Sequence, residues 1–392
     1  MKFLHTAEFY SPSVGGAQEV IKQLSEHMVA LGHDVTVATT KLPNRRKKVI
    51  NGVKIKEFDI SGNEVRGYTG KDVEKYKQFL VKSKFDVIMN YAAQQWTADL
   101  MFQVIDKIKA KKVFVPCGYS RLYDPEYKGY FRHLPEILRK YDAMVYLSRD
   151  YRDINFARKH HLKNIHIIPN GADEREFGKL NPAAAQDFRT KWGIQPGELL
   201  ILNVSNHTGM KGHHEAIQAF WQANIKNAML MFVGDVNEYG GCYRDCKRSS
   251  WVQNNVYNRL SNKNKRIVVT HISRKETLAA YQAADMFLFL SNLECSPLVL
   301  FEAAAAGNPF ITSGCGNAAE IARWTGAGIV TKSRQEKDGR TTIDISAAAQ
   351  AIEKLFGSEK MRIKMGKNGR KAWEKRYTWE ILAKQYLKVY KG

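Results

Sequence analysis

The sequence predicts an α/β protein of two doubly wound domains, each a parallel β-sheet with helices on both faces. Short apolar runs such as Met286–Leu290 are typical of strands that are buried on both faces. Stretches with a helical pattern alternate with these runs through most of the chain, which favours parallel strands joined by helices. The length of 392 residues exceeds the size at which one hydrophobic core stops growing, so two domains are expected.

The first half of the chain opens with a βαβ unit. Phe3–His5 is predicted as a strand, 18–31 as a helix with its apolar residues on one face, and Val35–Ala38 as the next strand. Between the first strand and the helix, the pair Gly15-Gly16 marks either a tight turn or a close approach of the backbone to a ligand. Further strands are predicted over 53–58, 86–89, 113–116, 143–147 and 165–168.

A turn sequence, Pro169-Asn-Gly-Ala-Asp173, and the polar stretch after it place the domain boundary near residue 180. This gives predicted domains of 1–180 and 181–392, and two such domains facing each other would form a cleft between their strand ends. No purpose is assigned to the polar and aromatic segment 236–262. The predicted strands of the second domain are 199–204, 228–233, 267–270, 286–290, 310–312 and 329–331, and its predicted helices are 213–224, 275–283, 345–356, 359–375 and 379–390.

The stretch from Ser291 to Gly307 carries the strongest functional signal. It follows an apolar strand and passes through a polar loop into a helix, with Ser296 as the predicted N-cap and Pro297 as the first helical residue. In an open α/β sheet, ligands bind where strands end and helices begin. A helix N-terminus there offers unpaired N–H groups and a positive dipole end to a phosphate.

Two carboxylates, Glu294 and Glu302, lie in this stretch. If both were helical they would be about 12 Å apart along the helix axis. Hydrolase pairs flank a glycosidic bond at roughly 5–9.5 Å, so this spacing argues against a glycoside hydrolase. The two acids would instead contact different ends of one extended ligand. The alternative, that both are ordinary solvated glutamates, stays open at this point.

The net charge of +22 indicates an anionic partner, which could be nucleic acid, an acidic membrane surface or a polyphosphate substrate. Basic residues are spread over the whole chain, with dense runs at 45–48 and 107–112. Because no nucleic-acid-binding signature is present, nucleic acid is unlikely, and peripheral contact with anionic lipid through the run 45–48 is favoured. A solvated basic face that aids solubility remains the alternative.

Five scattered cysteines do not form a disulfide framework and suit a reducing cytosol. The N-terminal residues contain no apolar core of a signal peptide, and no stretch has the length of a membrane span, so a cytoplasmic protein is expected. Only Cys242 and Cys246 are closely spaced. A metal site would need further ligands, for which His213 and His214 could be invoked, but free thiols are favoured.

Five motifs together resemble one family. Glu294 and Glu302 match an E-x7-E signature that includes Pro297, and the other matches are Gly15-Gly16, Pro169–Asp173, Lys211-Gly212 and Thr378-Trp379-Glu380. In this order they resemble the retaining glycosyltransferases of the GT-B type, in the group four (GT4) family. The resemblance implies two Rossmann-like domains facing across a cleft, with the C-terminal helix packing back on the N-terminal domain. It also implies transfer of a hexose-type sugar from a UDP or GDP donor to a surface polysaccharide, glycolipid or related acceptor.

The resemblance assigns roles to individual residues. Glu302 would bind the ribose hydroxyls, Glu294 would lie beside the donor sugar, and Lys211 would neutralise the diphosphate. Catalysis would need no cofactor or metal, which agrees with the absence of a D-x-D motif. Backbone N–H groups would assist, but Pro297 has none to donate. The further residues implied in donor binding are Gly15, Gly16, Asn206, Gly234, Ser296, Pro297, Leu298 and Val299, and those implied in a cleft loop are Asn170 and Gly171.

Two positions depart from the family pattern. Asn206 stands where the family usually has an arginine that binds the diphosphate, so either Arg274 substitutes or donor binding is weaker. Cys117, counted with Glu294 and Lys211 among the catalytic candidates, stands where a histidine usually lies near the sugar. Two alternatives therefore stay open: a sugar-nucleotide epimerase of the same fold, and a catalytically silent nucleotide-sugar-binding protein.

Overall fold

The computed structural model describes residues 1–235, 241–261 and 263–392. The chain divides into two compact units, one made of Met1–Asn170 with Trp379–Gly392 and the other of Gly171–Thr378. The first division therefore falls between Asn170 and Gly171 rather than near residue 180. The second unit also ends before the last helix, which the sequence prediction had included in it.

The first unit is built on an eight-stranded sheet of order β10-β9-β8-β7-β1-β2-β4-β3, and the structure describes every residue of this unit. Its strand pairs are parallel except for the short β3 against β4. The elements are β1 (Lys2–Thr6), α1 (Gly16–Ala30), β2 (Asp34–Thr40), β3 (Val49–Ile50), β4 (Val53–Phe58), β5 (Ser61–Asn63), β6 (Gly67–Thr69), α2 (Val73–Lys82), β7 (Val87–Tyr91), α3 (Trp96–Phe102), β8 (Lys111–Val115), α4 (Lys128–Leu138), β9 (Ala143–Tyr146), α5 (Arg152–Lys159) and β10 (Ile165–Ile167).

The second unit contains a parallel sheet of order β13-β12-β11-β14-β15-β16, counted over its described residues. Its elements are α6 (Glu174–Phe177), α7 (Pro182–Lys191), β11 (Leu199–Val204), α8 (His213–Gln222), β12 (Ala228–Val233), α9 (Cys242–Val252), α10 (Asn258–Leu260), β13 (Lys265–Thr270), α11 (Arg274–Ala283), β14 (Met286–Phe289), α12 (Leu298–Ala306), β15 (Phe310–Thr312), α13 (Ala318–Thr325), β16 (Gly328–Val330), β17 (Ser333–Gln335), β18 (Thr341–Ile343), α14 (Ile345–Phe356) and α15 (Glu359–Arg376).

The strands predicted from apolar runs form the two parallel sheets, and the fold class is confirmed. β12 and β14 are buried along their whole length because helices cover both faces of the sheet, which is why they read as continuous apolar runs. The small antiparallel pairs β5·β6 and β17·β18 were not predicted. Their three-residue strands are too short to show an alternating pattern.

The order of the second sheet reverses between β11 and β14. The chain runs outward from β11 through β12 to β13, then returns to place β14 on the other side of β11. Such a switch point leaves a crevice at the carboxyl ends of the two neighbouring strands. The loops after β11 and β14 both start from this edge.

The predicted segment 236–262 is helical over much of its described length. It contains α9 and α10, whereas 236–240 and 262 lie outside the described residues. Trp251 and Tyr257 on this segment are exposed. No helix in the described parts of the chain is both long and apolar enough to cross a lipid bilayer.

The last helix, α16 (Trp379–Lys391), belongs to the first unit and packs against α1. This agrees with the prediction that the C-terminal helix returns to the N-terminal domain. Tyr390 packs edge-on against Phe3 of β1, and its hydroxyl lies 3.1 Å from Nε2 of His5. Nδ1 of His5 lies 2.8 Å from the hydroxyl of Ser25 in α1. A single buried imidazole therefore joins the first strand, the first helix and the last helix.

Burial lowers the pKa of His5 to about 3, because the charged imidazolium would lose its solvation. In the unfolded chain the same group titrates near 6.5. Below that pH the unfolded chain binds a proton that the folded chain does not, so stability falls as pH falls.

We predict that the wild-type chain loses stability relative to His5→Gln between pH 7 and pH 4, by up to about 1.4 kcal/mol per pH unit. Urea denaturation of both proteins over this pH range measures the difference. Parallel stability curves for the two proteins would contradict the assignment of a buried neutral imidazole.

Candidate functional site

The helix that begins the candidate site starts one residue later than predicted. α12 begins at Leu298, and Pro297 is its N-cap, with a ψ of 117° in the extended region. The prediction of Ser296 as N-cap and Pro297 as first helical residue is therefore wrong. Because Pro297 is not helical, Ser296 lies one position too far from the first turn to cap it, and it is buried in the loop instead. Gly307 ends the helix in the left-handed conformation.

The N-cap residue of α12, Pro297, has no side chain that could accept a hydrogen bond from the first turn of the helix. Its first two residues, Leu298 and Val299, are half-buried and carry N–H groups that have no carbonyl partner in the preceding turn. A helix end of this kind is suited to an anion, because unpaired N–H groups and the positive end of the helix dipole coincide.

Lys211 and Glu294 form an ion pair in front of this helix. Lys211 Nζ donates to Glu294 Oε1 at 2.6 Å, and the hydroxyl of Ser291 lies 2.8 Å from the same oxygen. The side chains of Glu294 and Lys211 are 11% and 29% exposed. The two residues come from the loops after β14 and β11, so the switch point of the sheet brings them together.

Backbone contacts hold these two loops against each other. The N–H of Asn292 donates to the carbonyl of Met210 at 3.0 Å. Gly212 begins α8 with a φ of 67°, and a Cβ atom there would lie only 1.7 Å from the carbonyl oxygen of Leu290. Glycine at position 212 therefore serves both a left-handed conformation and a close approach of two backbones, directly after Lys211.

Glu302 is oriented inside α12 by a second cation. Arg274 donates to Glu302 Oε1 at 2.5 Å, and the hydroxyl of Tyr281 donates to Oε2 at 2.9 Å. Burial raises the pKa of Tyr281 well above its ordinary value, and the charge of Glu302 adds to this effect. Burial alone would lower the pKa of Arg274, but Glu302 and Glu176 raise it, so the guanidinium stays charged.

The two acids therefore have separate partners at separate places. Each side chain is only 11% exposed and each is paired with its own cation. The alternative of two ordinary solvated glutamates is wrong, because both carboxylates are held in fixed orientations by charged and polar side chains.

Asn206 and Gly234 lie where neighbouring strands of the second sheet end. Asn206 is exposed, and its Oδ1 accepts from the N–H of Asp235 at 3.3 Å. A Cβ on Gly234 would lie 1.9 Å from the carbonyl oxygen of Ser205, so packing of the strand ends already requires glycine. Arg274, suggested above as a substitute for the arginine missing at 206, is engaged by Glu176 and Glu302.

The first unit contains the candidate residues Gly15, Gly16 and Asn170. Gly15 has a φ of 172°, which is ordinary extended backbone, and Gly16 is the exposed first residue of α1 with nothing within 4 Å of a built Cβ. The interpretation of this pair as a tight turn is therefore wrong, and its role in donor binding stays a prediction. Asn170 and Gly171 are both buried, and the division between the two units falls between them.

Cys117 lies in a strained loop after β8. It has a φ of 56°, Tyr119 has a φ of 45°, and both are non-glycine residues in the left-handed region. The sulfur of Cys117 lies 3.5 Å from the hydroxyl of Tyr91. Strained backbone of this kind concentrates at functional sites. The catalytic role of Cys117 stays a prediction.

The basic run 45–48 is not uniformly available to a partner. Arg45 is buried, pairs with Glu57 at 2.7 Å and donates to the carbonyl of Tyr10 at 2.8 Å. It is a structural residue, so the part of the prediction that includes Arg45 in a membrane contact is wrong. Arg46 and Lys47 are exposed.

Sequence reasoning missed Tyr281 and Ser291 as supports of the two acids. Tyr281 lies in the middle of α11, where an aromatic residue reads as ordinary core, and nothing in the sequence points to Glu302 as its partner. In the sequence, Ser291 stands out only as the first residue of the functional stretch. Its contact with Glu294, three residues away, depends on a loop conformation that a pattern of residue types does not specify.

A lysine and a helix N-terminus without a side-chain cap, at the switch point of a doubly wound sheet, are typical of α/β proteins that bind phosphate groups. Comparison with known proteins identifies the family. Residues 14–176 match the model described as Glycosyltransferase Family 4, and residues 185–372 match the model described as Glycosyl transferases group 1. Together the two matches cover most of the chain, which belongs to the GT4-type glycosyltransferases of GT-B fold.

Relatives and solved structures agree with this assignment. The N-acetyl-alpha-D-glucosaminyl L-malate synthase of Bacillus anthracis is 25% identical over 97% of this chain and 94% of its own. The sucrose-phosphate synthase of Thermosynechococcus elongatus superposes with a TM-score of 0.77 at 19% identity, over 100% of this chain and 98% of its own. Anabaena Alr3699/HepE, solved with UDP-glucose, superposes with a TM-score of 0.74 at 15% identity, over 99% of each chain.

We predict that Gly212→Ala destabilises the protein by about 1–3 kcal/mol more than Gly209→Ala does. Both glycines have a left-handed φ and lie in the same loop, but a Cβ at 209 meets nothing within 4 Å. The control therefore isolates the backbone approach at Leu290 from the conformational cost. Thermal and urea denaturation measure both variants, and equal losses of stability would contradict the close approach.

Proposed function

We propose that this protein transfers a hexose-type sugar from a nucleoside-diphosphate donor to a glycan or glycolipid acceptor, with retention at the anomeric carbon and without a catalytic metal. The pairing of Lys211 with Glu294, in the loop that leads into the uncapped α12, is the observation that carries the proposal. It combines a mobile cation, a fixed acid and an anion-binding helix end in one unit of the chain.

Lys211 is assigned to the diphosphate. When the bond from the anomeric carbon to the phosphate oxygen breaks, the leaving diphosphate gains negative charge. Lys211 and the N–H groups of Leu298 and Val299 would stabilise that charge, which is the role that a metal ion plays in other transferases. Lys211 lies on a glycine-flanked loop and is 29% exposed, so it can exchange Glu294 for a phosphate oxygen.

Glu294 and Glu302 are assigned to opposite ends of the donor. Glu294 lies before α12 and would accept hydrogen bonds from sugar hydroxyls. Glu302 lies one to two turns inside the helix, where Arg274 and Tyr281 fix its carboxylate, and it would accept from the ribose hydroxyls. Because each carboxylate has its own cation, the two acids are assigned to one extended ligand rather than to one glycosidic bond.

Two further observations support parts of the proposal. The Anabaena protein of the same fold was solved with UDP-glucose, which supports a nucleotide-sugar donor. Retention and metal independence are supported by the E-x7-E signature and by the positive charge already present at the site. The acceptor class is supported by the net charge of +22, which favours a molecule assembled at an anionic surface.

We predict that purified protein incubated with a panel of UDP- and GDP-sugars transfers or slowly hydrolyses one of them. Rates should be the same with and without added Mg²⁺ or Mn²⁺. A folded protein that neither binds nor turns over any donor would contradict the proposal. Tight UDP or GDP binding without turnover would favour the silent binding protein, which Asn206 and Cys117 make the second candidate. An epimerised sugar nucleotide or sugar formed without any acceptor would favour an epimerase.

We predict that Lys211→Ala lowers kcat/KM for the donor by about 10²–10³-fold, because a charge that stabilises the leaving group is lost. The exposed Lys226, in the same unit, provides the matched control, and Lys226→Ala should leave kcat/KM unchanged. Steady-state kinetics with the active donor measure both variants. Equal values for the two variants would remove Lys211 from the chemistry.

We predict that the protein binds vesicles containing anionic lipid more strongly than neutral vesicles, through exposed residues that include Arg46 and Lys47. Reversal of both charges should reduce flotation with anionic vesicles, while reversal of Lys226 and Lys337, exposed in the other unit, should reduce it less. Flotation that is indifferent to anionic lipid content would contradict membrane association.

A further inference from the structure

Two histidines and a cysteine converge beside the loop that carries Lys211. His207 lies in that loop, His213 is the first residue of α8, and Cys242 is the first residue of α9. The sulfur of Cys242 lies 3.6 Å from Nδ1 of His207 and 3.6 Å from Nδ1 of His213. These three ligand atoms all lie within 4.8 Å of one another.

The two sulfur-to-nitrogen distances are those of a tetrahedral zinc site. With Zn–S of about 2.3 Å and Zn–N of about 2.0–2.1 Å, tetrahedral geometry places sulfur and nitrogen about 3.6 Å apart. The two Nδ1 atoms therefore stand at the distance from the sulfur that a shared zinc ion would require.

The surroundings of His213 fix which ring nitrogen is free to bind a metal. Nε2 of His213 lies 3.1 Å from the hydroxyl of Ser205, and that hydroxyl donates to Oδ1 of Asn203 at 2.6 Å. Because Ser205 uses its proton on Asn203, it accepts from Nε2–H of His213. Nδ1 of His213 is then unprotonated, and its lone pair faces Cys242, as in metal-binding histidines held by a second hydrogen bond.

The sulfur of Cys242 is the point on which both imidazoles converge. A thiol can donate to one Nδ1 and accept from the other, and a thiolate-bound cation would take the place of those two protons. His207 and His213 are stacked, with ring centroids 4.3 Å apart. A divalent cation bound by a thiolate and two neutral imidazoles would lie where the sulfur and the two Nδ1 atoms meet.

A second sulfur lies one helical turn further along α9. It belongs to Cys246, which is buried. Residues four apart lie on the same face of a helix, so both sulfurs face the same side. This spacing was noted in the sequence, but the partners invoked there, His213 and His214, are only half right. His214 is exposed, and His207 takes its place.

We propose that His207, His213 and Cys242 form a structural binding site for a zinc-type divalent cation, with Cys246 as the fourth ligand once its side chain turns toward the other three. Four protein ligands leave no open position, so the ion supports the fold and is not the catalytic metal whose absence was proposed above. Binding releases one proton from each of the two thiols to solvent, and no oxidant or reductant is required.

The site would anchor both ends of the segment 207–213 to α9. That segment contains Lys211 and Gly212, so the ion would fix the position of the lysine assigned to the diphosphate. This consequence rests on the proposed function, whereas the site itself does not. The proposed site also assigns a role to α9, because this helix supplies Cys242 and Cys246, two of the four proposed ligands.

The test measures metal content directly. Full-length protein without an affinity tag is purified, supplied with ZnSO₄, dialysed against metal-free buffer and analysed by mass spectrometry of the metals. We expect about one zinc ion per chain, and a zinc affinity more than about tenfold lower in Cys242→Ser and His213→Gln. His214→Gln is the matched control and should retain the ion, because His214 is the exposed neighbour of His213. Wild-type protein without bound zinc, or equal zinc in all three variants, would overturn the proposal.

A second measurement needs no variant and so survives a substitution that prevents folding. Cobalt(II) replaces zinc in tetrahedral sites and is coloured, and thiolate ligands add a sulfur-to-cobalt charge-transfer band in the near ultraviolet. We expect that band when CoCl₂ is added to the metal-free wild-type protein, and its loss when zinc is added afterwards. A cobalt spectrum without thiolate character would overturn the proposal. Zinc binding in a protein that fails to bind any nucleotide would support this site while contradicting the proposed function.

Discussion

The approach of two backbones at the switch point of the second sheet determines the rest of the candidate site. β11 and β14 are neighbours, and the loops that leave them touch where Gly212 passes the carbonyl of Leu290. This contact is possible only without a side chain at 212. It places Lys211 against Glu294, in the loop that leads into α12. The arrangement of the charged residues thus depends on the absence of a Cβ atom at position 212.

Electrostatics give the two acids different properties although they are close in sequence. Glu294 pairs with Lys211, whose side chain is half-buried and partly open to solvent. Under the proposed function, the ammonium group of Lys211 can turn from Glu294 to a ligand. Glu302 is held by an arginine that also binds Glu176 and by a buried tyrosine hydroxyl, so its carboxylate is fixed before any ligand arrives. One end of the site is therefore adaptable and the other is rigid.

The sequence allowed the strands, most helices and the two acids to be predicted, because these depend on local periodicity and on a motif within one segment. It did not allow Ser296 to be rejected as a cap, since that depends on one ψ angle at Pro297. It offered His213, which does contact Cys242, but not His207, for a related reason. His207 and Cys242 meet through the register of β11 and β12 and the path of a loop, and no spacing rule encodes such contacts.

The buried imidazole of His5 that joins the first strand to the last helix has a consequence for how the chain is made. During synthesis the first 170 residues emerge long before α16, which completes their core. Until then the face of α1 that α16 covers has no partner, and the ring of His5 lacks Tyr390. The N-terminal unit therefore reaches its final packing only after α16 has emerged from the ribosome, although most of its own sequence comes first.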